Sequence, residues 1–264
     1  TDALMKHPDV SLILATGGSA MVRAAYSSGT PALGVGPGNV PAFIEKTADI
    51  KMAVSRIIAG KIFDNGVICA SEQAVVVERE IYKEVKKEFI NQGCYFVNEE
   101  EKLKMEKIID TPYGSLNAKI VGKTASQLAD MAKIEVPEDT KIIIAEETGV
   151  GKGYPFSREK LSPILAFYVE DDWKKGCDKC IELLDYGGMG HTLGIHSNDK
   201  DIIMEFALRK PASRIIVNSP TTHGAIGATT NLAPALTLGC GAVGGSATSD
   251  NVSPMNLINI RRLA

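Results

Sequence analysis

No apolar run in this 264-residue sequence is long enough to cross a bilayer; the longest, at 142–145 and 162–169, fall far short of the roughly 20 residues a spanning helix needs. No charge excess is present either. Lys and Arg number 29 against 32 Asp and Glu, a net charge of −3, which excludes nucleic acid or an anionic membrane as the main partner and leaves small molecules and protein subunits. The opening TDALMKHPDV has no basic region, apolar core or cleavage site of a signal peptide. It also has no initiator methionine, so a longer parent chain is expected. A disulfide framework is missing: the five cysteines, at 69, 94, 177, 180 and 240, are odd in number and irregularly spaced, which suits a reducing compartment. Cys177 and Cys180 form one C-x-x-C, but it falls in an amphipathic helical stretch with no second pair and no nearby histidine, and so reads as helix packing. No metal is expected. Repeats and low-complexity segments are also absent.

What remains is a globular composition, 44% hydrophobic and 23% charged, enough for one large domain or two smaller ones. Short apolar runs alternate with amphipathic helical stretches from end to end. Strands are expected at 11–15, 31–35, 73–78, 141–146, 163–170, 192–197 and 213–219. Helices are expected between them, at 49–63 with Asp49 in the cap region, 79–93, 99–109, 171–187 and 199–210. GPGNVP (36–41) reads as a loop, and MNLINIRRLA (255–264) as a terminal strand. This alternation implies a mostly parallel sheet covered by helices, an α/β fold.

Three places could carry chemistry. ATGGSAMV is a strand end, a glycine turn and a helix start, which leaves backbone N–H groups facing outward as an anion site; without the full G-x-G-x-x-G pattern, a plain strand-to-helix turn explains it equally well. FDNGVICASEQAVVV sets Cys69 after a tight turn and among small residues. If 67–70 lies near a helix start, the free N–H groups would lower the thiol pKa; taken alone, such a cysteine is more often packed and inert. In GMGHTLGIHS, His191 opens a strand and can act as acid or base there, while His196 falls on the other face. Glu159, just before a strand, can bind a sugar hydroxyl or lie solvated. Cys240, in a glycine-rich stretch, is the second candidate nucleophile.

FDNGVICASEQ, EKLSPIL, GHTLGIHS and TLGCGAVGGSATSDNVSP together resemble the aldehyde dehydrogenase superfamily, and within it the CoA-acylating branch that acts on acetaldehyde or propionaldehyde, which also occurs as one part of bifunctional aldehyde/alcohol dehydrogenases. The resemblance runs from about residue 11 to the end. It implies a three-layer α/β/α, Rossmann-like catalytic domain (39–240), a remnant of the NAD-binding domain (1–38), and a C-terminal loop and strand (241–264) serving oligomerisation. It implies Cys69 as nucleophile, Thr16, Gly17, Gly18 and Ser19 at the cofactor pyrophosphate, and Glu159, in the position of the E-x-x-x-P motif, on the nicotinamide ribose. The cofactor would be NAD or NADP and the co-substrate coenzyme A. His191 would assist deprotonation of the CoA thiol or orient the intermediate. A homo-oligomer in the cytoplasm, or within a bacterial microcompartment, is expected. One departure is informative: hydrolytic members carry a water-activating glutamate in E-L-G-G-K-x-P, and counting back from Pro41 in VGPGNVP puts Val35 in its place. Three other readings stay open: a hydrolytic, non-acylating aldehyde dehydrogenase, a Cys-His hydrolase built on Cys69 and His191, and a truncated piece that serves assembly without catalysis.

Overall fold

Runs such as QAVVVE and KIIIAE are apolar on both strand faces, and only a sheet covered on both sides accepts them. The computed structural model describes residues 1–263. In chain order it contains α1 (Asp2–Met5), β1 (Ile13–Thr16), α2 (Ser19–Tyr26), β2 (Ala32–Val35), β3 (Val40–Ile44), α3 (Ile50–Ile62), β4 (Glu72–Glu78), α4 (Tyr82–Asn91), β5 (Cys94–Phe96), α5 (Glu99–Ile109) and α6 (Ala125–Ala132). There follow β6 (Ile142–Glu146), β7 (Ile164–Glu170), α7 (Trp173–Gly187), β8 (Gly190–His196), α8 (Lys200–Arg209), β9 (Ala212–Val217) and α9 (Thr221–Ala225). Strands β1 and β2 pair parallel in a small sheet, and β3 to β9 form a seven-stranded sheet in the order β5-β6-β7-β4-β3-β8-β9. Every pair in it is parallel.

The large sheet separates two apolar layers. Ala74, Val76, Ile143, Ala166 and Leu193 point to the face covered by α5, α6, α7 and α8. Their neighbours Val75, Val77, Ile142, Ile144 and Leu165 point to the face covered by α3 and α4. This is the parallel sheet covered by helices that the alternation implied, in the three-layer α/β/α form that the resemblance implied. Asp49 caps α3, its side chain accepting from the Met52 N–H at 3.0 Å.

Three expectations fail. Part of GPGNVP is strand, because β3 starts at Val40 and runs through the middle of the sheet. Pro41, which has no N–H to give the ladder, is tolerated because the register with β4 shifts between Val40 and Pro41. No helix starts at 67–70: Cys69 lies in a turn between a 3-10 turn (Phe63–Gly66) and β4. The terminal strand is absent; Pro254–Leu257 is a 3-10 turn, and 258–263 runs on without a sheet partner. Its last position, Ala264, lies outside the described residues. The short elements β5, α6 and α9 were not expected, their apolar residues being too few to show a period.

Only residues 36–39 separate the C-terminal end of β2 from the N-terminal end of β3. The outgoing edge of the small sheet therefore abuts the incoming edge of the large one. In the large sheet β4, β3 and β8 are adjacent, so whatever precedes these three strands gathers at that junction.

Candidate active site

Cys69, Gly38 and His191 are what gathers there. The D-N-G before the cysteine turns the chain by holding Asp64, Asn65 and Gly66 in the left-handed region, with φ of 48°, 49° and 73°, a conformation Asn, Asp and Gly tolerate best. Asn65 ties the turn down by donating to the Gly122 carbonyl at 3.2 Å. Beyond the cysteine, the Ser71 and Thr222 hydroxyls lie 3.1 Å apart, and Thr222 donates to the Gly60 carbonyl at 3.0 Å. Buried Glu72 accepts from the Thr221 N–H at 2.7 Å. The thiol is thus set between α3 and α9 on a loop fastened at both ends.

His191 Nε2 lies 3.2 Å from the Cys69 sulfur, and its Nδ1 lies 2.9 Å from Thr192 Oγ1. His191 is fully buried, and burial, with the Arg214 cation behind it, pushes its pKa down to about 3. Burial likewise pushes the partly buried Cys69 thiol up to about 12, with the nearby Glu159 and Cys240 adding to the rise. At neutral pH the resting pair is a thiol and a neutral imidazole. The lowered thiol pKa that a helix start would have brought is therefore absent, because no helix dipole points at Cys69 and desolvation dominates. Gly38 packs against both residues. A Cβ there would sit 2.1 Å from the Cys69 carbonyl oxygen and 3.3 Å from His191 Cδ2, so only glycine lets the β2–β3 connection pass this close.

The same Gly38 donates its N–H to Glu159 Oε1 at 2.9 Å. Glu159 reaches the junction because the loop before β7 is nailed down by Lys160, which is fully buried and donates to the carbonyls of Gln73, Phe156 and Arg158 at 3.0, 2.5 and 2.7 Å. Gln73 Oε1 in turn accepts from the Lys160 N–H at 3.0 Å and from buried Lys61 at 3.3 Å. Burial raises the Glu159 carboxyl to about 7 and lowers the Lys61 ammonium to about 7.

A cleft of about 290 Å³ opens over Cys69, with His191 buried behind it. Thr16, Gly17, Gly18, Gly36 and Pro37 line one side, and Val67, Ile68, Cys69, Glu159, Leu161, Ile226, Leu236 and Leu238 the other. Ser19 faces an adjoining hollow with Arg158, Glu159 and Tyr186. Gly17 donates its N–H to the Val35 carbonyl. Gly18 is the N-cap of α2, and a Cβ on it would meet nothing within 4 Å. The open helix start and the carboxylate of Glu159 thus face one cavity with the thiol, a setting that fits a dinucleotide.

The residues singled out from sequence therefore converge, with two exceptions. His196 lies at the far end of β8, fully buried with neither ring nitrogen bonded, its pKa lowered by burial to about 4. It is a neutral core residue. Cys240 is beside the site but 2% exposed, its sulfur 3.7 Å from the Leu238 carbonyl. Cys177 and Cys180 lie on the buried face of α7, and no group of three or more metal-binding side chains occurs among the described residues. Lys61, Lys160, Thr192 and Arg214 were missed. The signal for Lys61 was its phase with Val54, Ile57 and Ile58 on α3; for Arg214 it was its alternation with Ile216 on β9. A charge in phase with core positions marks a buried, bonded charge.

Comparison with known proteins shows the family. The aldehyde dehydrogenase family matches residues 1–154. The chain is 48% identical over 273 residues to aldehyde-alcohol dehydrogenase 2 of Entamoeba histolytica, covering 100% of this chain and 31% of that protein. An acetylating aldehyde dehydrogenase from Geobacillus thermoglucosidasius superposes with a TM-score of 0.95 at 52% identity, covering 100% of this chain and 60% of the other. A propionaldehyde dehydrogenase from Rhodopseudomonas palustris, with bound CoA and an acylated cysteine, gives 0.84 at 30% identity, covering 94% and 55%. The chain spans about a third of the length of the curated relatives it matches first.

Proposed function

The chain belongs to the aldehyde dehydrogenase family, and on that premise we propose that it carries the acyl-transfer half of an NAD(P)-linked, CoA-acylating aldehyde dehydrogenase acting on a short-chain aldehyde. The observation that carries the reading is the 3.2 Å approach of buried His191 to Cys69, which itself lines a cleft with Gly17, Gly18 and Glu159. The acylated cysteine and bound CoA of the Rhodopseudomonas relative support it.

The Cys69 sulfur adds to the aldehyde carbon and forms a thiohemiacetal, its proton passing to the developing hydroxyl. The Cys69 N–H, which no backbone carbonyl engages among the described residues, is a donor for that oxygen. The α2 start and Glu159 would hold NAD(P)+, which would supply the hydride acceptor for oxidation of the adduct to a thioester. His191 holds the sulfur, Gly38 holds Glu159, and Leu161, Ile226, Leu236 and Leu238 keep the acyl chain dry.

The fate of the thioester turns on Val35. It ends β2, buried at 1% exposure, where hydrolytic relatives place a carboxylate. Valine takes no proton from water, so the acyl group waits for a stronger nucleophile, the thiol of CoA. One thioester then replaces another, and the transfer runs in both directions. Substituting Val35→Glu in the intact protein is expected to raise the ratio of free carboxylic acid to acyl-CoA released by about 10²-fold, the lower end of general-base effects. An unchanged acid-to-acyl-CoA ratio, measured by chromatography of the products, would count against this account. Residues 1–38 belong in this reading to the cofactor domain, and the exposed Met255, Leu257, Ile258 and Ile260 to a contact between subunits of a homo-oligomer. The test of the function itself is CoA dependence of turnover in the intact protein.

A further inference from the structure

Behind His191 lies a part of the site that the proposed reaction has not used. Register pairs Thr192 on β8 directly with Arg214 on β9. Arg214 is 3% exposed, and all five of its N–H donors are taken. Nε donates to Thr192 Oγ1 at 3.3 Å; Nη1 to the Ser249 carbonyl and Asn251 Oδ1 at 3.2 and 3.3 Å; and Nη2 to the carbonyls of His191 and Gly239 at 3.0 and 2.5 Å. The guanidinium therefore has one position. It ties β8 to the 239–251 loop and cannot turn away from Thr192.

A guanidinium only donates, so Thr192 Oγ1 accepts from it. The hydroxyl then has its own hydrogen left to give, and His191 Nδ1, 2.9 Å away, is its other partner. Thr192 donating to Nδ1 satisfies every group in the row. With Nδ1 occupied as acceptor, the ring proton sits on Nε2, the nitrogen 3.2 Å from the Cys69 sulfur. The alternative, Nδ1–H donating to Thr192, gives that oxygen two donors and leaves its own hydrogen unbonded in a buried place, which is costly.

We propose that Arg214 and Thr192 are positioning residues that fix His191 as the Nε2–H tautomer, so that His191 serves the reaction as a hydrogen-bond donor to the Cys69 sulfur and not as the base that removes its proton. The inference rests on Cys69 and His191 being the reacting pair. Its use lies in the second half of the cycle. When CoA displaces the acyl group, the Cys69–acyl bond breaks and the electron pair stays on sulfur, and a donor 3.2 Å away stabilises that leaving thiolate. The charged and titratable groups facing the pair are Arg214 from β9, Glu159 from the loop before β7 and Cys240 from the 239–251 loop; Arg214, like the Nε2–H, favours the thiolate.

The test is the pH profile of Cys69 alkylation by iodoacetamide in the intact protein, read by peptide mass spectrometry. Thr192→Val is expected to raise the midpoint by about one pH unit and slow alkylation at neutral pH about tenfold. Thr192→Ser, which keeps the hydroxyl, is expected to match the native profile. Combined with His191→Ala, Thr192→Val should add nothing, since it acts through the ring. If Thr192→Val does not fold, Arg214→Lys removes the Nε donor and carries the same expectation. Unchanged or faster alkylation in Thr192→Val, with His191→Ala slowed, overturns the tautomer assignment while leaving the reacting pair intact. Failure of the pair itself shows separately, as aldehyde oxidation that survives Cys69→Ala.

Discussion

Cys69→Ala in the intact protein is expected to lower aldehyde-dependent NADH formation by at least about 10⁴-fold, the scale on which removing a covalent nucleophile acts. The fold should not suffer. Cys69 sits in a turn and belongs to none of the four apolar clusters, and the loop around it is fastened by Asn65, Ser71 and Glu72 rather than by the sulfur. The thermal midpoint should therefore move little, the variant costing within about 1 kcal/mol. This separates loss of chemistry from loss of structure. Cys240 could not substitute, because it is closed off at 2% exposure and His191 Nε2 is turned to Cys69. Residual turnover within tenfold of the native rate would remove Cys69 from the mechanism.

Gly38→Ala is expected to cost both stability and activity. The added methyl would meet the Cys69 carbonyl oxygen at 2.1 Å, a backbone atom that cannot swing aside, so the 36–39 connection or the cysteine loop must shift. Overpacking of this kind costs about 1–3 kcal/mol. The shift would also lengthen the 2.9 Å bond from Gly38 to Glu159 and move Cys69 relative to His191. A misplacement of about 1 Å is worth roughly 10²-fold in rate. Steady-state rates together with a thermal melt check it, and a variant with native rate and native midpoint would show that the close approach is not needed.

Much of this molecule could be read from its sequence, for a physical reason. Parallel strands buried on both faces must be apolar throughout, so β4, β6 and β7 announce themselves. The strand that failed to do so, β3, follows GPGN directly, because Gly38 in that connection packs against Cys69 and His191 where a Cβ has no room; the glycines and prolines of GPGNVP read as loop. The terminal segment misleads in the opposite way. Its apolar Met255, Leu257, Ile258 and Ile260 read as a strand, but among the described residues no strand pairs with them. Within the site, Cys69 and His191 were candidates by residue type and local turn, and only the family resemblance raised them above packed core residues. Lys160 and Arg214 were not, since Lys160 reaches the distant Gln73 carbonyl and Arg214 joins a neighbouring strand to the 239–251 loop, and pattern alone does not say which buried charge is bonded to what.

The central claim is that the acyl group on Cys69 waits for a thiol because Val35 offers water no base. The measurement that bears on it most directly follows NADH in the intact protein mixed with aldehyde and NAD(P)+, first without CoA and then with it. The account requires a burst of about one NADH per Cys69 that stalls as the acyl-enzyme accumulates, then sustained turnover with acyl-CoA as the product when CoA is added. Sustained NADH formation with release of free carboxylic acid in the absence of CoA would contradict it.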